Sequence, residues 1–499
     1  MSGTVRSITR TLVLPLKRRR RSRSPSWGRL GCGWFTKPAA ATIVALALSG
    51  CALGPDFKLP FLNLPKKYAE PEITPAATPI GAPANWWLLY GDPVLDKLVL
   101  VGLENNTDVR TAVARIEEAE ALMREANAVL FPEIDVNGAA GRSRASTRTG
   151  TLPPGALVQR NNFQLSASTS FELDFWGRLR RAQEAARAQY MATRYGRDVV
   201  ALSLAANIAQ TYFNVRAFDA QIIVSQETLR TAEESLDLAQ KRATAGVTSE
   251  LDVNQSAALR SQFAAQLKDL QRQRAVSVHQ LGVLTNIVDL EIAPGDVRQI
   301  PTPPMPPAGL PSALLERRPD IREAAATYES ANAQIGVARA AQFPTLSLTG
   351  AFGAQSRELG TLFASGASIW NVGLNVVGPI IDWGRYQART EQAEARARQA
   401  ALGYEKTTLT AFREVSDALS NVRISADTEQ DLRDRVDQAR NALRLSTLRY
   451  QSGYSAYLEV LDAQRTLNDA QLALMRNRQQ YLGFTVDLMN ALGGGWVPY

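Results

Sequence analysis

The chain carries its fold twice. Trp176-Gly177-Arg178 recurs as Trp383-Gly384-Arg385, an offset of 207 residues. The same offset aligns Leu236, Leu238, Arg242, Gly246, Leu251 and Val253 with Leu443, Leu445, Arg449, Gly453, Leu458 and Val460. Upstream, Phe131-Pro132 matches Phe343-Pro344 at an offset of 212, so the stretch between Phe-Pro and Trp-Gly is five residues longer in the first copy. A constant register through the long segments, with the length change confined to one, is the mark of a duplicated unit with a variable loop.

Each copy has the same grammar. After Phe-Pro come two stretches of period-two alternation. Phe163, Leu165, Ala167, Thr169, Phe171, Leu173 and Phe175 form a mostly apolar face, and Gln164, Ser166, Ser168, Ser170, Glu172 and Asp174 a polar one. The partner stretch begins with Ile134 and Val136 against Asp135 and Asn137. In the second copy Leu346, Leu348 and Phe352 alternate with Ser347 and Thr349, and Trp370, Val372, Leu374 and Val376 with Asn371, Gly373 and Asn375. Such strands fit a soluble sandwich with the apolar side inward, or a membrane barrel with that side on lipid and the polar side on water. Two hairpins flanked by very long helical segments leave no second sheet to pack upon, which favours the barrel. Asp135, Asn137, Glu172, Asp174, Asn371 and Asn375 would then face the lumen.

Between Gly177 and Gly246, and between Gly384 and Gly453, lie 69-residue intervals without proline. Val215, Phe218, Ile222, Ser225, Leu229, Ala232, Leu236, Ala239 and Ala243 follow 3,4 spacing, as do Val460, Ala463, Leu467, Ala470, Leu474, Asn477, Tyr481, Phe484 and Leu488. Alanine-rich stripes of this kind predict closely packed coiled-coil helices, each on the order of 100 Å long. Gly246 and Gly453 suit a tight reversal between antiparallel helices. Arg242 and Arg449, one turn earlier, either cap terminal carbonyls or contact a partner. The run Asp427, Glu429, Asp431, Arg433, Asp434, Arg435, Asp437 reads first as a solvated helix face, with a charged pore constriction as the alternative. Pro301-Thr302-Pro303-Pro304-Met305-Pro306-Pro307 joins the copies as an extended strap.

Composition removes other functions. The formal charge of +8 comes from residues 1–50, which hold ten Lys/Arg and no acid, leaving 46 basic against 48 acidic groups in the remainder. A nucleic-acid surface loses its support. The single histidine, His279, sits in an amphipathic helix among Gln and Val, and with two cysteines, Cys32 and Cys51, the usual zinc ligand sets are out of reach. No glycine-rich phosphate loop is present. The chain is read as no enzyme, with no metal or cofactor.

The first fifty residues read as an address. A basic cluster, Lys17 to Arg23, precedes the short apolar run Ala39–Ser49, whose eleven residues at about 1.5 Å each cannot cross roughly 30 Å of hydrocarbon. This is a secretory signal. Leu48-Ser49-Gly50-Cys51 resembles a bacterial lipobox, which implies a covalent lipid on Cys51 as mature N-terminus, and Ala52, not being Asp, resembles the outer-membrane sorting class. Cleavage there removes Cys32 and leaves no disulfide. Pro55 to Pro83 follows as a polar tether.

With these features the sequence resembles the TolC-like outer-membrane efflux proteins, and specifically their NodT-type lipoprotein branch. The resemblance rests on the lipobox, on Trp86-Trp87 with Asp92-Pro93-Val94-Leu95, and on Leu315-Glu316-Arg317-Arg318-Pro319-Asp320-Ile321-Arg322. It continues in Ala331-Asn332-Ala333-Gln334-Ile335-Gly336 running into Phe343-Pro344, the paired Arg242/Gly246 and Arg449/Gly453 turns, and Ala491-Leu492-Gly493-Gly494-Gly495-Trp496. It implies a mostly α chain with membrane β. Two repeats would each give a hairpin to a homotrimeric twelve-stranded outer-membrane barrel and long helices to a periplasmic α-barrel. The implied organisation is a signal peptide (1–50), a lipidated tether (51–94), a first repeat (95–300; hairpin about 133–175, helices about 177–285), a Pro-rich linker (301–311), a second repeat (312–492; hairpin about 345–381, helices about 384–490) and a tail (493–499). The implied partners are a periplasmic adaptor (membrane fusion) protein, an inner-membrane transporter of the resistance-nodulation-division type, and outer-membrane lipid. The chain would be a passive exit duct for drugs, solvents or metal ions, with the Arg242/Gly246 and Arg449/Gly453 tips docking the adaptor. A type I protein secretion duct and a lipid-anchored coiled-coil protein without a pore remain the alternatives.

Overall fold

The computed structural model describes residues 52–62, 83–148, 155–304 and 314–494. The signal segment, Cys51, residues 63–82 of the tether, the Pro-rich strap from Met305 onward and the last five residues lie outside them. A 3-10 turn, Trp86–Tyr90, precedes α1 (Pro93–Asn105) and α2 (Thr107–Ala128), then β1 (Glu133–Arg144), β2 (Gln159–Leu173), α3 (Arg178–Thr244) and α4 (Glu250–Thr285). The second half brings the short α5 (Leu314–Arg317), then α6 (Pro319–Ala340), β3 (Thr345–Ser356), β4 (Ser368–Val377), α7 (Arg385–Gln451) and α8 (Tyr457–Ala491).

The duplication holds at element level. α2 and α6 have 22 residues each, β1 and β3 have 12 each, and α3 and α7 have 67 each. Every one of these pairs starts and ends at the offset read from the sequence, 212 before the hairpin turn and 207 after it. Local chemistry sets the ends. Asp92 caps α1 by accepting from the Val94 and Leu95 amides, with Pro93 in the first turn; Asn106 does the same for α2 through the Asp108 and Val109 amides. Gly246 (φ 70°) and Gly453 (φ 80°) stop α3 and α7. The Val247 amide bonds the Arg242 carbonyl at 2.9 Å and the Tyr454 amide the Arg449 carbonyl at 2.8 Å, the six-to-one bond of a Schellman turn in both copies.

The alanine stripe of α3 is buried as its spacing requires. Ala185, Ala188, Ala192, Ala205, Ala209, Ala217, Ala220, Ala232 and Ala239 are all buried, which lets backbones approach closely. α3 packs against α4, α6 and α8, while α7 packs against α6 and α8. The largest core joins Trp86, Trp87, Tyr90 and Leu95 of the N-terminal segment to Tyr212 and Phe213 of α3 and to Leu482, Val486 and Met489 of α8. The tryptophan pair and Asp92-Pro93 of the sequence motif are therefore structural. A second core gathers Ile321, Phe412, Val415 and Leu488 around the Arg-Arg-Pro-Asp segment, and a third, with Leu259, Phe263, Tyr457 and Leu461, lies toward the helical turns.

The four strands form one antiparallel sheet in the order β1-β2-β3-β4. Its register keeps the faces in phase. Val136 lies opposite Ala167, Ala167 opposite Phe352, and Phe352 opposite Trp370. On the other face Asp135, Ser168, Ala351 and Asn371 form a row, as do Glu172, Ser347 and Asn375. A slip of one residue between any two strands would put apolar side chains on the polar face. Two expectations need correction. β2 ends at Leu173, so Asp174 stands beyond the strand, and β4 ends at Val377 because Gly378-Pro379 follows and proline has no amide for the ladder.

Candidate functional site

The sheet offers two surfaces of opposite character. Ile134, Val136, Phe352, Trp370, Val372, Leu374 and Val376 are all more than half exposed and share one face. A soluble protein rarely leaves so large a contiguous apolar surface uncovered. The other face is polar and cross-linked: Asn137 Nδ2 donates to Ser168 Oγ at 2.8 Å, Gln355 Nε2 to Asn162 Oδ1 at 2.6 Å, and Thr349 Oγ1 to the Gly373 carbonyl at 3.3 Å. Asp135, Asn137, Asn371 and Asn375 lie exposed on it. Among the described residues the outer edges of β1 and β4 have no strand beside them.

Two carboxylates expected on that face are engaged at the junction below it. Glu172 receives both Nε and Nη2 of Arg178, at 2.9 and 2.6 Å. This bond first, and the neighbouring carboxylate charges after it, hold the Arg178 guanidinium above its ordinary pKa against the cost of burial. Asp174 caps α3 by accepting from the Leu179 and Arg180 amides, both at 3.0 Å. It lies past the end of β2 and serves the start of the helix. Its position one step past a two-faced strand made it look like the strand's next member.

The described chain begins at this junction. The Leu53 amide bonds the Trp176 carbonyl at 3.1 Å, the buried Arg181 holds the Leu53 carbonyl at 3.3 Å and Asp56 at 3.0 Å, and Asn332 Nδ2 holds the Pro55 carbonyl at 3.0 Å. Gly177 and Gly336 make room: a Cβ on Gly177 would come within 2.7 Å of Ala52 Cα, and one on Gly336 within 2.6 Å of the Leu53 carbonyl. The residue after Cys51 is thus fixed at the foot of the sheet. Nothing in the spacing of the sequence announces this clamp.

At the far ends of α3 and α7, the two turns carry exposed apolar side chains just past the glycines, Val247 and Leu251 in one and Tyr454 and Leu458 in the other. A Cβ on Gly246 or Gly453 would meet nothing within 4 Å, so positive φ alone selects glycine there. The Arg242 guanidinium lies over the Tyr450 ring at 4.6 Å, bridging the two turns, and Arg449 reaches Glu459 across its own turn at 3.9 Å. Backbone amides, not these guanidinium groups, satisfy the terminal carbonyls.

The acidic-basic run of α7 is mostly a solvated face, with Asp427, Asp431, Arg435 and Asp437 exposed. Glu429 is the exception. It takes Arg433 at 2.5 Å and faces Arg478 of α8 at 3.6 Å, and Arg478 also donates to the Ile300 carbonyl at 2.6 Å and Thr302 Oγ1 at 3.0 Å. This ties the start of the Pro-rich strap to the helices. A second tie was equally hidden in the sequence: the buried Asp219 pairs with Arg274 and Arg216 and accepts the Gly295 amide at 3.0 Å. Arg318 of the Arg-Arg-Pro-Asp segment, nearly buried, binds Asp320 at 2.6 Å, Glu414 at 2.8 Å and the Ala491 carbonyl at 3.2 Å. Burial, and secondarily Glu414, pushes the Asp487 carboxyl above its ordinary pKa despite the Gln210 amide bonded to it at 2.6 Å. His279 is exposed. No helix among the described residues is long and apolar enough to cross a membrane.

The family model for outer membrane efflux protein matches the chain twice, over residues 101–286 and 310–494. The chain is 34% identical over 464 residues to the toluene efflux pump outer membrane protein TtgC of Pseudomonas putida, covering 91% of this chain and 94% of that one. It is 33% identical over 467 residues to the cation efflux system protein CusC of Escherichia coli, covering 91% and 97%. The open-state crystal structure of the Neisseria gonorrhoeae MtrE outer membrane channel superposes with a TM-score of 0.79 at 30% identity, covering 89% of this chain and 98% of that one.

Proposed function

Because the chain belongs to the outer membrane efflux protein family, we propose that three copies form the exit duct of a tripartite pump that moves small molecules out of the cell. It is an outer-membrane channel of the TolC-like kind and the outer-membrane component of an efflux pump. The observation that carries the finer reading is the in-phase, two-faced sheet of four strands mounted on 67-residue helices. Four strands cannot close, and spanning β-structures need at least about eight to leave no edge in lipid. Three chains supply twelve. The apolar face meets lipid and the Asp135–Asn371 face lines water.

The duct does no chemistry of its own. An inner-membrane transporter, of the resistance-nodulation-division type by resemblance, supplies the energy, and a periplasmic adaptor docks on the turns at Gly246 and Gly453. The substrates are small molecules: relatives are named for toluene and for cations, and the choice among drugs, solvents and metal ions lies with the transporter. A lipid on Cys51 holds the N-terminus at the inner leaflet of the outer membrane, beside the clamp that fixes Leu53. The test is complementation of a strain deleted for its own outer-membrane efflux component, together with conductance of the purified protein in planar bilayers. Restored efflux with discrete channel conductance is expected. A protein that reaches the outer membrane and gives neither would overturn the reading.

A further inference from the structure

We propose that the apolar face of the sheet holds one outer-leaflet lipid per chain, a phosphorylated, multiply acylated glycolipid of the lipid A class. An acyl chain fills a pocket under the β3–β4 loop, and a phosphate sits on Arg142 and Arg144. The site rests on the reading of that face as the lipid-facing side of a barrel, and it adds a specific occupant.

The pocket lies where the second hairpin folds back on itself. Leu165 and Ala167 of β2 and Phe352 and Ala354 of β3 line it from the sheet, Leu362 and Phe363 line it from the loop, and it measures about 450 Å³. All four sheet residues belong to the apolar face, with Ala167 opposite Phe352 and Leu165 opposite Ala354. Two alanines between a leucine and a phenylalanine leave the depression. Leu362 is 7% exposed, so the loop is seated, while Phe363 is 80% exposed at the mouth. The lining is mostly hydrocarbon, which suits an alkyl chain.

The same face changes character toward the end of the strands farthest from the helices. By the period of two, its β1 positions run Ile134, Val136, Gly138, Ala140, Arg142, Arg144. Gly138 lies opposite Leu165 of the pocket, so Arg142 stands about 13 Å further out at about 3.3 Å per residue. Both arginines are exposed. Arg142 Nη2 donates to Gln159 Oε1 at 3.2 Å, a neutral partner that leaves the positive charge uncompensated. From residue 136 to residue 171 the first hairpin holds four arginines, at 142, 144, 148 and 160, and no Asp or Glu. The fold itself does not ask for them, because the offset of 212 carries Arg142 onto Ala354 and Arg144 onto Ser356. A guanidinium on the lipid side is tolerated near the interface and costly at mid-depth, and its fork geometry matches phosphate. Phosphate and alkyl chains on one molecule, at this end of the strands, describe the glycolipid of the outer leaflet. The headgroups of inner-leaflet phospholipids lie at the other end, at the foot of the sheet.

The test uses the full-length protein purified from outer membranes in non-ionic detergent and washed free of loose lipid. Bound lipid is counted by native mass spectrometry after addition of lipid A or of phosphatidylglycerol. Lipid A is expected to stay on, up to one per chain, and phosphatidylglycerol to wash off. The double variant Arg142→Gln/Arg144→Gln should lower lipid A retention by about tenfold or more, and Ala354→Trp, which fills the pocket floor, should lower it similarly. Arg160 lies across from Ser143 on the polar face, so Arg160→Gln removes a like charge and should retain lipid A as the parent does. Unchanged retention in the arginine pair overturns the site, and that exposed pair decides the case even where Ala354→Trp does not assemble. Equal retention of phosphatidylglycerol, or an equal loss in Arg160→Gln, overturns it too. Normal conductance in planar bilayers alongside any of these results leaves the channel reading intact. A protein that forms no channel sinks the barrel reading and the site with it.

Discussion

Arg242 of the first helical turn rests on the ring of Tyr450 in the second, 4.6 Å from guanidinium carbon to ring centre. The two halves are thus fastened to each other at the end farthest from the sheet. A cation–π contact at an exposed site is worth about 0.5–1 kcal/mol, so Arg242→Ala should shift the balance toward parted turns by roughly two- to fivefold. Single-channel recording checks this: the open fraction of the purified channel rises in the variant, and an unchanged fraction would show that the contact does not hold the turns.

The turns themselves are constrained by backbone. Gly246 and Gly453 have positive φ and empty space where a side chain would go, so Gly246→Val or Gly453→Val costs of order 1 kcal/mol or more in strain without a clash. Because the sheet lies at the other end of a 67-residue helix, both variants should reach the outer membrane at normal levels yet lose efflux. Drug accumulation measured beside outer-membrane protein levels separates the effects; full efflux from both variants would mean that the turns do not dock a partner.

Neighbouring positions on β1 give the sharpest contrast of faces. Val136 is 75% exposed on the apolar side, and Asn137 lies on the polar one. An arginine facing lipid at mid-depth costs roughly 2–4 kcal/mol, and one facing water costs little. Val136→Arg should therefore impair assembly, and Asn137→Arg should assemble and change ion selectivity. Ser166 is the poorer probe of the polar side, since it is buried, at 6% exposure.

Asp487 carries a carboxyl whose pKa is raised, first by burial. A carboxyl held above its unfolded value supports the fold fully only below the ordinary aspartate pKa, and that support is lost as pH rises through the raised value. Asp487→Asn removes the charge and keeps a carbonyl for Gln210. It should raise thermal stability at neutral pH, with the advantage shrinking on acidification. A variant less stable than the parent at pH 7 contradicts the assignment of burial as the dominant cause.

The anchor can be probed apart from the barrel. Cys51→Ser should abolish palmitate labelling and slow arrival at the outer membrane, while the Leu53–Arg181–Asp56 clamp still seats the segment. Label persisting on that variant would remove the lipid from Cys51.

Periodicity made much of this legible. The alternation of Phe163–Phe175 and the 3,4 stripes of the long helices record which side of each element is buried, and the two offsets record where each element starts and ends. What periodicity does not carry is the identity of the facing element. Glu429 and Asp174 sat in patterns that suggested a lumen or a solvated surface, yet one is tied to Arg478 and the other caps α3, because both contacts depend on how separate segments meet. Asp219 is the same case: beside the local Arg216, its partners Arg274 and Gly295 are 55 and 76 residues away.

The equal length of α3 and α7 has a consequence for how such a chain can change. At about 1.5 Å of rise per residue, two rods of 67 residues have equal reach, so in the proposed trimer every turn would stand level. A deletion in one rod alone would leave the rim uneven, with alternate turns too short to touch a flat partner. Matched deletions in both would lower the rim as a whole and alter only how far it reaches. The five-residue difference between the halves falls in the loop after β1, at the opposite end, where nothing has to be level.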